Sequence, residues 1–249
     1  MPEGHLLHRA ARDITGDLGG TVVAASSPQG RFDATAVDGL TLMRTEAYGK
    51  HLLHRFDGGP VVHVHLGLRG LHLRDDDPAT PPRAGVRLRL AGRAAAWDLI
   101  APSRCELLDD DGVDRVLAGL GPDPLRDDVD DQDAVRRLRA ARGSVGAAVL
   151  DQSVWAGIGN AWRAELLFLA RLSPHLPCSS LTEDDAARLW RLTREHFVLG
   201  RDAGQVVSDP STPDERWVYK RETCRSCGAP VQVEELAGRT SYACPREQH

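Results

Sequence analysis

The chain reads as an α+β protein laid out in three successive parts: strands behind one leading helix, then helices, then a small cysteine-bearing tail. Three observations carry that reading. Val86-Arg87-Leu88-Arg89-Leu90 alternates strictly between apolar and charged residues, the period of a strand with one buried face. Beyond Asp133 the apolar positions recur near the 3.6-residue period of a helix instead. Near the end, Cys224-Arg225-Ser226-Cys227, then sixteen residues, then Cys244 has the spacing of a metal knuckle.

Taken in order, His5 to Leu18 predicts a helix through Leu6, Leu7, Ala10, Ile14 and Leu18, and Gly19-Gly20 ends it. From Thr21 to about Glu106 the pattern is that of an antiparallel sheet or sandwich. Val61 to Leu66 is a strand entered from the turn Asp57-Gly58-Gly59-Pro60, and Ala91-Gly92-Arg93 turns the alternating strand into Ala94 to Ile100. The acidic stretch around Gly121-Pro122-Asp123-Pro124 reads as a solvated linker and marks a boundary. Helices are then predicted over Asp133–Arg142, Ser144–Asp151, Asn160–Leu172 and Leu181–Leu199, the last capped by Thr182 with Asp185 three residues on. The polar segment Arg201–Glu215, with Gly204, Pro210 and Pro213, predicts a mobile surface loop. The resulting domains are 1–120, 121–215 and 216–249.

The 249 residues are 41% hydrophobic and 27% charged, the make-up of an ordinary globular protein of two or so domains. No run approaches the roughly 18 apolar residues of a membrane span. The first residues meet charge before any apolar stretch forms, so a secretory leader is not expected. A cytoplasmic monomer without membrane contact is the expectation, with its five cysteines mostly reduced. The net charge of −5 is unevenly spread: Glu106 to Asp133 holds eleven acidic residues against Arg115 and Arg126, a balance of −9, and the remainder carries +4. Net charge governs solubility, whereas a binding face needs only local positive charge, so a nucleic-acid partner stays open.

Two constellations carry chemistry. Removal of Met1 before the small residue Pro2 would leave a secondary α-amine, whose unperturbed pKa of about 7.7–8.0 is far below that of lysine. Such an amine attacks electrophilic carbon and forms an imine-type intermediate, and Glu3 beside it is a candidate general acid. At the other end, Cys224, Cys227 and Cys244 suit a tetrahedral Zn²⁺ that holds a unit too small for its own core. A fourth cysteine would fall where Glu247 stands; His249 is the preferred fourth ligand and Glu247 the alternative, with weak or absent metal binding a further possibility. Cys105 and Cys178 read as ordinary thiols.

Four motifs in this order resemble the formamidopyrimidine-DNA glycosylase/endonuclease VIII family of base-excision repair enzymes along the whole chain. They are Pro2-Glu3-Gly4; Gly49-Lys50-His51-Leu52-Leu53-His54; Asp151-Gln152 with Ala156-Gly157-Ile158-Gly159-Asn160 and Glu165; and Gly238-Arg239 ahead of Tyr242-Ala243-Cys244-Pro245. The resemblance implies an N-terminal antiparallel β-sandwich with a flanking helix, a helix-two-turns-helix domain and a C-terminal zinc β-hairpin. It implies an enzyme that flips a damaged nucleotide out of double-stranded DNA, since the sugar carbon is unreachable inside the stack. Pro2 would attack C1′ and expel the base, Glu3 would protonate the sugar ring oxygen, and β- and δ-elimination would cut the strand at oxidised bases or abasic sites. One structural zinc is implied and no redox cofactor.

The same resemblance gives Lys50 a catalytic ammonium, Asn160 and Arg239 contacts to phosphates, Glu165 a part in positioning Pro2, and Leu68 the wedge that fills the gap left by base flipping. A glycine turn before a helix start, as at Gly157-Ile158-Gly159-Asn160, independently suits an anion. Pro2-Glu3-Gly4 without a following Leu-Pro-Glu looks like the endonuclease VIII branch, which favours oxidised pyrimidines, and Arg201–Glu215 is short for a loop that caps a purine. The competing readings are a non-catalytic damaged-DNA-binding protein and an 8-oxoguanine- or formamidopyrimidine-specific glycosylase.

Overall fold

Leu7, Ala11, Ile14 and Leu18 line one side of a helix, and they are buried residues of α1 (Gly4–Leu18). The computed structural model describes residues 2–249 and divides the chain into two units, Met1–Ala118 and Gly119–His249.

In the first unit, β1 (Thr21–Val22), β3 (Thr41–Tyr48), β4 (His51–Phe56), β5 (Val61–His65) and β9 (Arg104–Leu108) form one antiparallel sheet in that order. A second sheet has the order β2 (Ala24–Ser26), β7 (Val86–Ala91), β8 (Ala96–Ile100) and β6 (Leu71–Asp75). Leu42, Leu52 and Val62 from one sheet, Leu88, Leu90 and Leu99 from the other, and the buried side of α1 share a single apolar core. Burial of each such side chain is worth about 1.5–3 kcal/mol, so the sandwich closes around this cluster.

Two features of this unit depart from the sequence expectation. Alternation places Arg89 on an outer face, yet it is buried, with its Nη1 held by both carboxylate oxygens of Asp98 at 3.1 Å. The acidic stretch is not all linker: Asp110–Ala118 forms α2. Asp110 and Asp111 occupy its first turn, where negative charge is favoured by the helix dipole, and Val113 is its buried anchor.

The second unit contains α3 (Asp131–Ala140), α4 (Val145–Ala148), α5 (Asn160–Leu169), α6 (Glu183–Ala203) and a hairpin of β10 (Gln232–Leu236) and β11 (Arg239–Ala243). Its core gathers Trp155, Trp162, Leu166, Leu189, Trp190 and Phe197. The helix expected over Ser144–Asp151 is a single turn. Thr182 caps α6 as expected, accepting from the Asp185 N–H at 3.1 Å, but α6 runs past Leu199 until Gly204, in left-handed backbone at φ +74°, closes it.

The remainder of Arg201–Glu215 is tied down rather than loose. His196 Nδ1 donates to the Val207 carbonyl at 2.9 Å, Ser208 is buried, and Asp209 accepts an ion pair from Arg225 at 2.9 Å. Arg225 in turn lies 4.4 Å over the Trp217 ring. Among the described residues no helix is long and apolar enough to cross a membrane.

Candidate active site

Within the first unit, Pro2 is half-buried and Glu3 has 4% exposure. The Glu3 carbonyl accepts the Leu6 N–H at 2.9 Å, so α1 starts directly behind the pair and fixes it to a rigid element. Met1, whose removal would free the Pro2 amine, lies outside the described residues. Lys50 sits in a two-residue turn between β3 and β4, where Tyr48 pairs with His51. Gly49 adopts φ +55°, the left-handed backbone that such a hairpin turn demands and that glycine accepts without strain. Leu68 is 64% exposed in the loop after β5. Gly67 holds that loop at φ +68°, and a Cβ there would come within 2.8 Å of Ser103, so the wedge candidate is presented on a loop of fixed shape.

Next to Lys50 runs a hydrogen-bonded chain that the sequence did not reveal. Glu106 Oε1 lies 2.9 Å from His63 Nδ1, and His63 Nε2 lies 2.8 Å from His51 Nδ1. A carboxylate can only accept, so His63 donates through Nδ1, and one hydrogen is shared between His63 Nε2 and His51 Nδ1. Burial, then the neighbouring His63 and His65, pushes His51 down to about 3, which keeps this imidazole neutral beside Lys50. His65 Nδ1 accepts the Gly67 N–H at 3.2 Å, linking the same row to the Leu68 loop.

In the second unit, α5 organises the other candidates. Asn160 opens it after Gly157 at φ +97°, and Asn160 Nδ2 donates to the Thr240 carbonyl at 2.8 Å. Arg239 is exposed at the start of β11, past a two-residue turn in which Ala237 (φ +55°) and Gly238 (φ +67°) are both left-handed. The buried Arg163, one turn along α5 from Asn160, grips this turn from beneath. Its guanidinium donates to the carbonyls of Leu236 at 3.1 Å, Thr240 at 2.9 Å and Arg239 at 3.3 Å. Burial, with Arg239 nearby, pushes Arg163 down to about 10. The structure thus brings Asn160 and the Arg239 turn together through a residue that sequence reasoning passed over.

Glu165 is fully buried. Its carboxylate accepts the N–H groups of Trp217 at 2.8 Å, Val218 at 3.0 Å and Tyr219 at 2.9 Å, and the Ser208 hydroxyl. It anchors the segment leading into the cysteine module. The thiols of Cys224, Cys227 and Cys244 lie within 4.8 Å of one another, with Cys227 and Cys244 at 3.5 Å. Three convergent thiols fit a tetrahedral zinc. Among the described residues His249 stays outside that group: its side chain is exposed, while its backbone N–H and C=O bond to Arg171 at 3.2 Å and Ser173 at 2.8 Å. Glu247 is likewise outside it, its carboxylate held by Arg171 and, at 3.3 Å, by the Ser226 hydroxyl.

Comparison with known proteins converges on the same arrangement. Residues 1–99 match the formamidopyrimidine-DNA glycosylase N-terminal domain and residues 120–203 the formamidopyrimidine-DNA glycosylase H2TH domain. The chain belongs to the formamidopyrimidine-DNA glycosylase/endonuclease VIII family. It is 41% identical over 264 residues to Endonuclease 8 1 of Mycobacterium tuberculosis, covering 98% of each chain. It is 33% identical over 258 residues to Probable endonuclease 8 2 of Streptomyces coelicolor, covering 98% of this chain and 93% of that one. The solved structure of MutM (Fpg) from Thermus thermophilus superposes with a TM-score of 0.81 at 28% identity, covering 99% and 98% of the two chains. Lactococcus lactis Fpg in complex with an oxidised-pyrimidine DNA shares the fold, with a TM-score of 0.83 at 22% identity over 99% of both chains.

Proposed function

We propose that the protein is a bifunctional DNA glycosylase and abasic-site lyase that removes oxidised pyrimidines from double-stranded DNA. The reading rests on one observation above others: in a chain that aligns over 98% of its length with Endonuclease 8 1, Pro2 borders an open cleft with Glu3 buried beside it. The Pro2 amine adds to C1′, the bond from C1′ to the base breaks, and the base departs with that electron pair. Glu3 gives a proton to the sugar ring oxygen as the ring opens to an iminium. The iminium makes the C2′ proton acidic. Its loss expels the 3′ phosphate, a second proton loss expels the 5′ phosphate, and water then frees Pro2. Lys50 offers its ammonium to the phosphate as charge develops. Leu68 fills the vacated stack, and Asn160 and Arg239 hold flanking phosphates.

Zinc, bound through Cys224, Cys227 and Cys244, staples the hairpin that presents Arg239. The expected content is one zinc per chain by elemental analysis, and a value near zero removes the metal from this account. Borohydride reduction on a duplex with an abasic site is expected to leave a covalent protein–DNA adduct that disappears in Pro2→Gly. Wild-type protein that binds such a duplex but leaves no adduct would make it a binder of damaged DNA instead.

A further inference from the structure

Leu52, Val62 and Val64 belong to the sandwich core, so the alternate residues of β4 and β5 stand on the opposite face of the sheet. On that face His51 lies across from His65, and His63 and His65 lie across from Glu106 and Arg104 of β9. The Lys50 turn runs straight into His51, and the Leu68 loop leaves straight after His65. One end of the face thus adjoins both candidates for contact with DNA. Lys50, Arg104 and three titratable imidazoles gather there around the Glu106 carboxylate, in a chain whose net charge is −5. The neighbouring acids are engaged elsewhere. Glu46 of β3 is held by Arg44 at 2.6 Å and Arg55 at 2.7 Å. Asp110 of α2, which covers the far end at Leu53 and Val61, pairs with Arg55 at 3.3 Å. Tyr48 is the β3 residue across from His51.

His63 is buried, with one ring nitrogen engaged by Glu106 and the other by His51. Among the described residues His63 is the hydrogen-bond partner of the His51 ring, which leaves His51 Nε2 for a ligand. A proton taken up at that nitrogen has a way to spread its charge. His51 Nδ1 releases the shared hydrogen, His63 Nε2 keeps it, and the positive charge comes to rest on His63 against the Glu106 carboxylate. The site gains one proton and one charge, and no other bond changes. Without a ligand this uptake is opposed. Burial, then His63, His65, Arg104 and Lys50, pushes His51 down to about 3, and burial with His63, Lys50 and Arg104 lowers His65 too. A phosphodiester seated over Lys50 and Arg104 offsets that repulsion and supplies an acceptor for the new Nε2–H.

We infer that His51 is a ligand for a backbone phosphate of DNA, charged by a proton that arrives with the duplex, and that His63 and Glu106 are positioning residues that carry the charge. The inference rests on the reading of the Lys50 turn and the Leu68 loop as DNA-facing and is independent of the Pro2 chemistry. An arginine at this place would be charged at all times and would repel Lys50 and Arg104 in the free chain. A neutral imidazole spares the face that repulsion and adds a charged hydrogen bond once phosphate is seated. A metal fits less well, because His51 and His63 spend their facing nitrogens on each other. Among the described residues the convergent metal group is the three cysteines of the other unit.

The test measures affinity for a duplex carrying a tetrahydrofuran abasic analogue, which has no leaving group at C1′ and so gives Pro2 nothing to attack. Ionic strength is fixed while pH runs from about 8 to about 6. A complex that holds one more proton than its free parts tightens as pH falls, by at most about tenfold per pH unit. Wild type is expected to gain about tenfold or more over that span. Its salt dependence should steepen as well, by about 0.9 in the slope of log affinity against log salt, because one more cation meets a phosphate. His51→Gln and His63→Leu should lose most of both effects. Glu106→Gln alters a half-exposed side chain and keeps an acceptor for His63, yet should shrink the gain because the counter-charge is gone. Affinity independent of pH in wild type overturns the inference, as does a gain undiminished in either His51→Gln or Glu106→Gln. A gain that vanishes only in His65→Gln overturns it too, since the proton then belongs to His65. If wild type binds no such duplex at any pH, the DNA reading fails and takes this inference with it. Binding that leaves no borohydride adduct on a true abasic duplex sinks the Schiff-base reading alone.

Discussion

His54, sealed in the sandwich, and Glu165, sealed in the helical unit, both hold polar atoms out of reach of water. His54 is left neutral: burial pushes it down to about 3, Thr45 Oγ1 lies 2.9 Å from its Nδ1, and its Nε2 has no partner. Glu165 instead gathers three backbone N–H groups and a hydroxyl. Arg163 in the same unit does the mirror image with backbone carbonyls. His54 is thus a buried ring kept uncharged with one nitrogen unmet, whereas Glu165 and Arg163 are buried side chains whose polar atoms are met largely by main chain. The difference follows the task. The ring in the sandwich is surrounded by an apolar core that holds without it, but loops and hairpins with little apolar surface need a polar anchor to hold them against solvent.

The sharpest way to break this comparison is to remove the anchors. Glu165→Ala strands four donors at once and is expected to cost about 3 kcal/mol or more in denaturant unfolding, with Arg163→Met, which strands carbonyls only, costing about 2 kcal/mol. Losses below about 0.5 kcal/mol, the range of ordinary surface changes, would show that the main-chain partners are incidental. A smaller effect probes the other unit. His51 and His54 stay neutral down to about 3 in the folded chain, while the unfolded chain takes up protons near 6.5. Falling pH therefore favours unfolding from about 6.5 down to about 3 and adds nothing below that. Each imidazole should cost about 1 kcal/mol between pH 7 and 5.5, and His54→Gln should flatten that slope. A slope unchanged in that variant would place the acid sensitivity elsewhere.

Much of this architecture was legible because it is periodic. Leu7, Ile14 and Leu18 along α1, and Leu88 and Leu90 along β7, repeat at the spacing their elements impose. The motifs around Pro2, Lys50, Asn160 and Cys224 were legible because they are contiguous. What stayed hidden depends on register. His51, His63 and Glu106 come from three strands and meet only because β4, β5 and β9 pair as they do. Arg163 reads as one more helix arginine until the hairpin carbonyls some 73 to 77 positions onward close over it. α2 escaped because acidic composition imitates a linker, and His249 because spacing along a chain says nothing of where a tail is strapped.

Asn160 and Arg163 sit on one face of α5 and both clasp the carbonyl of Thr240. Hairpin and helix start are thereby pinned to each other through one shared acceptor. Displacing that single carbonyl would loosen both side chains at once, so neither end can shift alone.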